Sequence, residues 1–129
     1  MSVSVARRSY EAFARGDMDA VLADMHPDIE WHQAQGLAHG GTYRGIDEVR
    51  REVFDPLDRD WWDEFVVTPA EFVEDGDTVV VLGTYAGIAR GTGKRLDVPF
   101  VHVWTFADGL AVRFRQFLDT AGWNEALSG

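Results

Sequence analysis

Residues 95–119 constrain the fold more than any other stretch. They read RLDVPFVHVWTFADGLAVRFRQFLD, two β-rich runs that meet at Ala107-Asp108-Gly109. Asp-Gly between such runs is a hairpin signal, because glycine accepts the positive φ that a tight turn demands. Side chains alternate across a strand, so Val98, Phe100, His102, Trp104 and Phe106 share one face. A titratable imidazole therefore sits among four apolar side chains. The second run ends at Asp119, and Thr120 opens a short helix reaching Leu127. The polar pair has two readings. His102 and Asp119 form an acid/base pair on paired strands, or His102 is a hydrogen-bonded core histidine and Asp119 caps the last helix.

The rest of the chain supplies partners for this hairpin. From Val3 to Arg15, apolar residues at Val3, Ala6, Tyr10, Phe13 and Ala14 have helical spacing, and Gly16 is a stop. Asp17 caps a second helix with Met18, Val21, Leu22 and Met25 inward, and Pro27 ends it. Asp28–Gln33 alternates as a short strand, with Ile29 and Trp31 on one face and Glu30 and His32 on the other. Gln35–Gly45 carries four glycines and is a loop, with a few extended residues around Thr42 and Tyr43. A third helix starts at Ile46 or Asp47 with Ile46, Val49 and Val53 inward. Asp55-Pro56 then caps a separate short helical turn toward Trp61 and Trp62. Glu64–Glu74 is a strand bent at Pro69, so an edge or a bulge. Thr78–Arg90 is a long strand in which Gly83 and Gly87 mark bends that curve a sheet. Helices followed by antiparallel strands predict one α+β domain over residues 1–129. A curved antiparallel sheet with the N-terminal helices across its concave side would enclose a pocket.

Charge and composition remove several functions. The net charge is −10. Nucleic-acid affinity comes from lysine and arginine neutralising phosphates, so no nucleic-acid partner is expected. Anionic membrane surfaces are disfavoured in the same way. No apolar run approaches the roughly 20 residues of a membrane helix. The start of the chain lacks an apolar secretory core, so a cytoplasmic location is expected. There is no cysteine, which excludes disulfides and thiolate zinc sites. The four histidines have no paired metal-binding spacing, so no metal is expected. Gly91-Thr92-Gly93-Lys94 lacks the first glycine and the following helix of a phosphate loop, and no cofactor is expected.

Four stretches carry a family resemblance: YEAFARGDMDAVLADMHPDIEW at 10–31, GTYRG at 41–45, VEDGDTVVVLGTYAG at 73–87 and FVHVWTFADGLAVRFRQFLDTAG at 100–122. They resemble the nuclear transport factor 2-like (ketosteroid isomerase-like) superfamily, in its SnoaL-like branch. The resemblance implies a cone-shaped α+β barrel with one deep, mostly apolar pocket, and commonly a homodimer formed through the sheet. It does not fix the activity, because this fold hosts isomerases, cyclases, dehydratases, epoxide hydrolases and binders. Counting from Gly16-Asp17, the steroid isomerases' base would fall at Gln33, their oxyanion-hole tyrosine at Ser9 and their protonated acid near His102. All three residue types differ. The epoxide hydrolases' Arg-x-Asp pair has no match in Gly83–Gly87, although their terminal aspartate matches Asp119. The SnoaL-like cyclases, with an aspartate ending the last strand and a histidine one strand away, match Asp119 and His102 best.

The expectation is therefore a cofactor-independent lyase or isomerase doing polyketide-cyclase-like acid/base chemistry. Its partner is a small, largely apolar molecule with one or two oxygens. Asp119 is the acid/base and His102 its orienter or an oxygen contact. Gln116, Tyr85 and His32 are polar ligand contacts, His32 alternatively being solvated. Trp31, Trp62 and Trp104 supply aromatic walls, and the Trp61–Trp62 segment a lid. Gln116 and Asp119 face inward near the mouth and Arg113 outward. That arrangement needs a bulge or the helix start to turn Asp119 in. The alternatives are a hydrolase in which Asp119 activates water and a binding protein without chemistry. Val101 and Val103, opposite His102, predict an apolar outer face and a homodimer.

Overall fold

The computed structural model describes residues 2–128. Helices α1 (Ser2–Ala14) and α2 (Met18–Ala23) open the chain and pack against one another. Asp17 caps α2 by accepting from the Ala20 N–H at 3.1 Å. Strands β1 (Met25–Gln33) and β2 (Gly41–Arg44) follow, then the short helix α3 (Ile46–Val49). Strands β3 (Trp62–Asp75), β4 (Thr78–Ala89), β5 (Arg95–Ala107) and β6 (Leu110–Leu118) precede the last helix, α4 (Thr120–Leu127). No helix among the described residues is long and apolar enough to cross a membrane.

The strands form one curved, open sheet in the order β2-β1-β6-β5-β4-β3, so the hairpin lies at its centre. Its turn forms as the residues demand, with φ of 52° at Asp108 and 80° at Gly109. The β3–β4–β5–β6 ladder is antiparallel, as is β1–β2, but β1 runs parallel to β6. The sheet is thus mixed rather than wholly antiparallel. Curvature comes from register shifts at Trp62/Glu64, Pro69/Glu71 and Thr105/Phe106 and from two glycines of β4. A Cβ on Gly87 would lie 2.1 Å from the Glu64 carbonyl oxygen, and one on Gly83 2.3 Å from that of Thr68. Only glycine lets edge strand β3 fold so closely over β4.

Two local expectations change. Pro27 does not terminate α2, which already ends at Ala23; it lies inside β1. The register of β1 against β6 shifts between Met25 and Glu30, so the missing proline N–H breaks no regular ladder. Asp55-Pro56 does not separate two helical pieces either. Beyond α3 the chain keeps winding to Trp61 through two stretches of wider, π-type turn, Arg50–Phe54 and Leu57–Trp61. The Asp55 N–H bonds the Arg50 carbonyl and the Trp62 N–H the Leu57 carbonyl, each five residues back. Wide turns relax the contact between a proline ring and the preceding turn. Arg90 fastens the end of this segment. Its guanidinium donates to the Asp58, Arg59 and Trp62 carbonyls and to the Asp63 carboxylate.

The concave face holds the core: Val79, Val81 and Tyr85 from β4, Val98, Phe100 and Trp104 from β5, Phe114 from β6, and Ile29 and Trp31 from β1. Replacing Gly87 with alanine should cost about 1–3 kcal/mol, as overpacking does. Gly91→Ala, where a Cβ meets nothing within 4 Å, should stay within about 0.5 kcal/mol. Urea unfolding of the two variants checks the contrast.

Candidate functional site

A cavity opens between the concave sheet face and the helical layer. Its empty volume is about 560 Å³, part of it open to solvent. The sheet contributes Trp31, Gln33, Phe65, Tyr85, His102, Trp104, Phe114 and Gln116. Helix α1 adds Ser9, Tyr10 and Phe13; the wide-turn segment adds Val53, Phe54 and Leu57; α4 adds Trp123. No aspartate, glutamate, lysine or arginine is among the described lining residues. Nor does any group of three histidine, aspartate or glutamate side chains among the described residues converge to hold a metal.

The polar part of the wall is one connected relay. The Ala34 N–H donates to Gln116 Oε1 at 3.1 Å, which turns the Gln116 amide nitrogen toward Tyr85 Oη, 2.9 Å away. Tyr85 Oη in turn touches His102 Nε2. On the other side His102 Nδ1 lies 2.6 Å from Tyr10 Oη, which accepts from Trp104 Nε1 at 2.9 Å. The Phe100 ring stacks on the imidazole at 4.0 Å. Burial penalises the charged form and lowers the His102 pKa to about 3. The same burial raises both tyrosine pKa values well above their ordinary value. At neutral pH the relay is uncharged and its hydroxyls keep their protons.

A second polar group adjoins it. Trp31 Nε1 donates to Gln33 Oε1 at 2.8 Å, so the Gln33 amide nitrogen donates to His39 Nε2 at 2.7 Å. His39 then carries its proton on Nδ1, which is buried with no partner among the described residues. Its ring packs 4.3 Å from that of Trp61, and burial lowers its pKa to about 4.

The structure brings His102, Tyr85, Trp104, Gln116 and Trp31 together around the cavity and leaves three predicted residues out. Asp119 is exposed and caps α4, accepting from the Gly122 N–H at 2.9 Å. The reason is strand parity: Phe114 and Gln116 are buried inward on β6, so Asp119 points the other way, and no later bulge reverses it. Trp62 does not line the cavity. It is wholly buried beside Trp123 and Phe65 as a core residue. His32 lies on the outer sheet face, held by Glu30 and Thr42, with Arg44 and Arg113 on the same carboxylate. Arg113 is outward, as expected. Sequence reasoning gave no site role to Tyr10, Gln33 or Trp123, and left His39 between a ligand contact and an ordinary loop histidine. Tyr10 was legible in principle, since a tyrosine on an apolar helix stripe must find a partner for its hydroxyl. A lone histidine in a glycine-rich loop has no such periodicity.

The family model for the SnoaL-like domain matches residues 6–114. The chain belongs to the SnoaL-like family. Solved structures agree and place it in the NTF2-like superfamily. An NTF2-like protein of unknown function from Burkholderia pseudomallei is 37% identical, with 99% of this chain and 98% of that one covered, at a TM-score of 0.91. An NTF2-like protein from Burkholderia thailandensis is 36% identical at the same coverage and a TM-score of 0.94. TerC, co-crystallised with polyporic acid, is 31% identical over 99% of this chain and 98% of its own, at a TM-score of 0.89. In this SnoaL-like chain Asp119 caps a helix, and the described residues that line the cavity include no aspartate, glutamate, lysine or arginine.

Two outcomes follow from this geometry. Asp119→Ala should cost about 1 kcal/mol as a lost cap, with Asp119→Asn close to wild type; urea midpoints check this. His102 and His39 both resist protonation in the folded state, whereas an unfolded chain takes protons up near 6.5. Their contribution to stability is complete above about pH 6.5 and is lost as the pH falls toward 4 and 3. Urea midpoints should decline through that window, and NMR titration should find the His102 ring uncharged at pH 5.

Proposed function

We propose that the cavity takes up a small, uncharged, largely apolar molecule bearing one or two oxygens, and that the Tyr10–His102–Tyr85 relay engages an oxygen of it. The observation that carries this reading is an aromatic wall with no charged side chain and one continuous string of neutral hydrogen-bonding groups. An ionised ligand would leave its charge uncompensated in such a site, which is costly. TerC, a 31% identical relative, was co-crystallised with a small molecule, polyporic acid, which supports a small-molecule site but not the charge of its occupant.

A second reading, cofactor-independent isomerase or lyase chemistry, has one specific observation in its favour. A neutral imidazole between two hydroxyls can give a proton at one end of the relay while taking one at the other. No carboxylate among the described lining residues could activate a water, so a hydrolase is the weaker reading. We further propose a cytoplasmic homodimer. The outer sheet face presents Val66, Leu82 and Phe117 exposed and Val101 and Val103 half-buried, an apolar surface that a second copy would cover.

Thermal denaturation with a panel of small aromatic ketones and the matching carboxylates tests the reading. The ketones should raise Tm, by up to about 2.7 kcal/mol in stability at a hundredfold excess over Kd, and the carboxylates should not. Stabilisation by carboxylates alone would reverse the assignment. Incubating a stabilising ketone with the protein in deuterated water separates the two readings: deuterium incorporation identifies proton transfer, and unchanged ketone identifies binding. Light scattering should find a dimer, and Leu82→Lys should shift it toward monomer.

A further inference from the structure

We infer that the relay always leaves one of its hydroxyl protons, that of Tyr10 or that of Tyr85, unengaged by protein and facing the cavity, and that the ligand it selects is a hydrogen-bond acceptor of the carbonyl class: a ketone, aldehyde or quinone. This deepens the proposed function and rests on the cavity being a ligand site.

The relay holds more protons to donate than inner contacts to receive them. Four contacts make up the relay: Trp104 to Tyr10, Tyr10 to His102, His102 to Tyr85, and Gln116 to Tyr85. The outer two are fixed. An indole N–H can only donate, and the Gln116 amide is oriented by the Ala34 N–H on its oxygen. The inner two contacts need two donors, and three are present: two phenolic hydroxyls and the single N–H of a neutral imidazole. The imidazole donates from one nitrogen and accepts at the other. If Nδ1 carries the proton, it donates to Tyr10, and the Tyr85 hydroxyl donates to Nε2. Tyr10 then accepts twice and its own O–H is free. If Nε2 carries the proton, the roles exchange and the Tyr85 O–H is free. No assignment of a neutral His102 occupies all three donors.

The free hydroxyl has no other hydrogen-bond partner among the described residues. Both tyrosines are buried and both line the cavity. An unmet donor in such a place is costly, so the site discriminates in favour of a guest that brings an acceptor. A carbonyl satisfies it without adding a further donor, whereas a hydrocarbon leaves it unmet. The guest also chooses the tautomer: an oxygen near Tyr10 holds the proton on Nδ1, and one near Tyr85 holds it on Nε2. One ring thus serves two oxygen positions, one at a time.

Acetophenone and ethylbenzene test this, being a ring with and without a carbonyl. In the wild-type protein the carbonyl stretch of bound acetophenone should fall below its value in hexane. In Tyr10→Phe/Tyr85→Phe the Trp104, Gln116 and His102 N–H groups that the hydroxyls had engaged become the nearest donors, so the stretch should move away from its wild-type value. A stretch unchanged in the double variant assigns the donor elsewhere and overturns the inference. Both probes binding with no shift in the stretch also overturns it, while leaving the cavity a ligand site. Binding of neither probe to the wild type removes the ligand-site reading, and the inference falls with it. Should the double variant not fold, ¹⁵N spectra of His102 in the wild type decide. The ring should hold one proton at pH 6, and acetophenone should shift it toward a single tautomer. A doubly protonated ring, or one unaffected by bound acetophenone, overturns the inference.

Discussion

A buried, uncharged imidazole clasped between two tyrosines is the interaction on which this structure depends. In a low-dielectric interior each of its nitrogens must be met, and an unmet one costs more than the contact itself contributes. Meeting them draws on every layer of the fold. Tyr10 comes from α1, Tyr85 from β4, Trp104 from the same strand as His102, and Gln116 from β6. Even the chain leaving β1 takes part, through the Ala34 N–H. The helix on the concave side is therefore set against the sheet by a polar contact as well as by apolar burial. Apolar packing tolerates small shifts of a helix; a donor and acceptor at 2.6 Å do not.

Much of this was legible in the sequence because it is governed by short-range rules. Asp108-Gly109 placed the turn, and period-two alternation put His102 and Trp104 on the buried face. Pro69 marked an edge or a bulge, and Gly83 and Gly87 marked bends in the sheet, which the close approach of β3 over both glycines accompanies. What was not legible depends on long-range register or on a choice between local solutions. Alternation from Gln116 already points Asp119 outward; what no local signal announces is that β6 ends without the bulge that would turn it in. Trp62 and Trp31 are the same residue type near the same cavity, yet only the fold decides that one is core and the other wall. Asp55-Pro56 has the pattern of a helix start, and the chain absorbs it in wider turns instead.

The family comparison separates place from chemistry. The resemblance puts the steroid isomerases' functional groups at Gln33, at Ser9 and near His102, and these three residues line the cavity. At those places this chain holds an amide, an aliphatic hydroxyl and a neutral imidazole. The terminal aspartate, attractive by resemblance, has the more ordinary task of satisfying the first turn of α4. Likeness of fold thus predicts where a molecule binds with more authority than what happens to it there.

The wide-turn segment gives the molecule a division of labour. The relay is drawn from the sheet and α1, whereas Val53, Phe54 and Leu57 reach the cavity from a stretch that makes none of the relay's contacts. That stretch is fastened at one end by α3 and at the other by Arg90. Its winding already departs from the ideal helix, so a change of side-chain size there has slack to be absorbed. Evolution can then recut the shape of the chamber by exchanging two or three apolar residues in one short window while the hydrogen-bonding machinery stays as it is. A single ancestral site of this design could found a lineage of proteins that share a chemical grip and differ in the silhouette of what they hold.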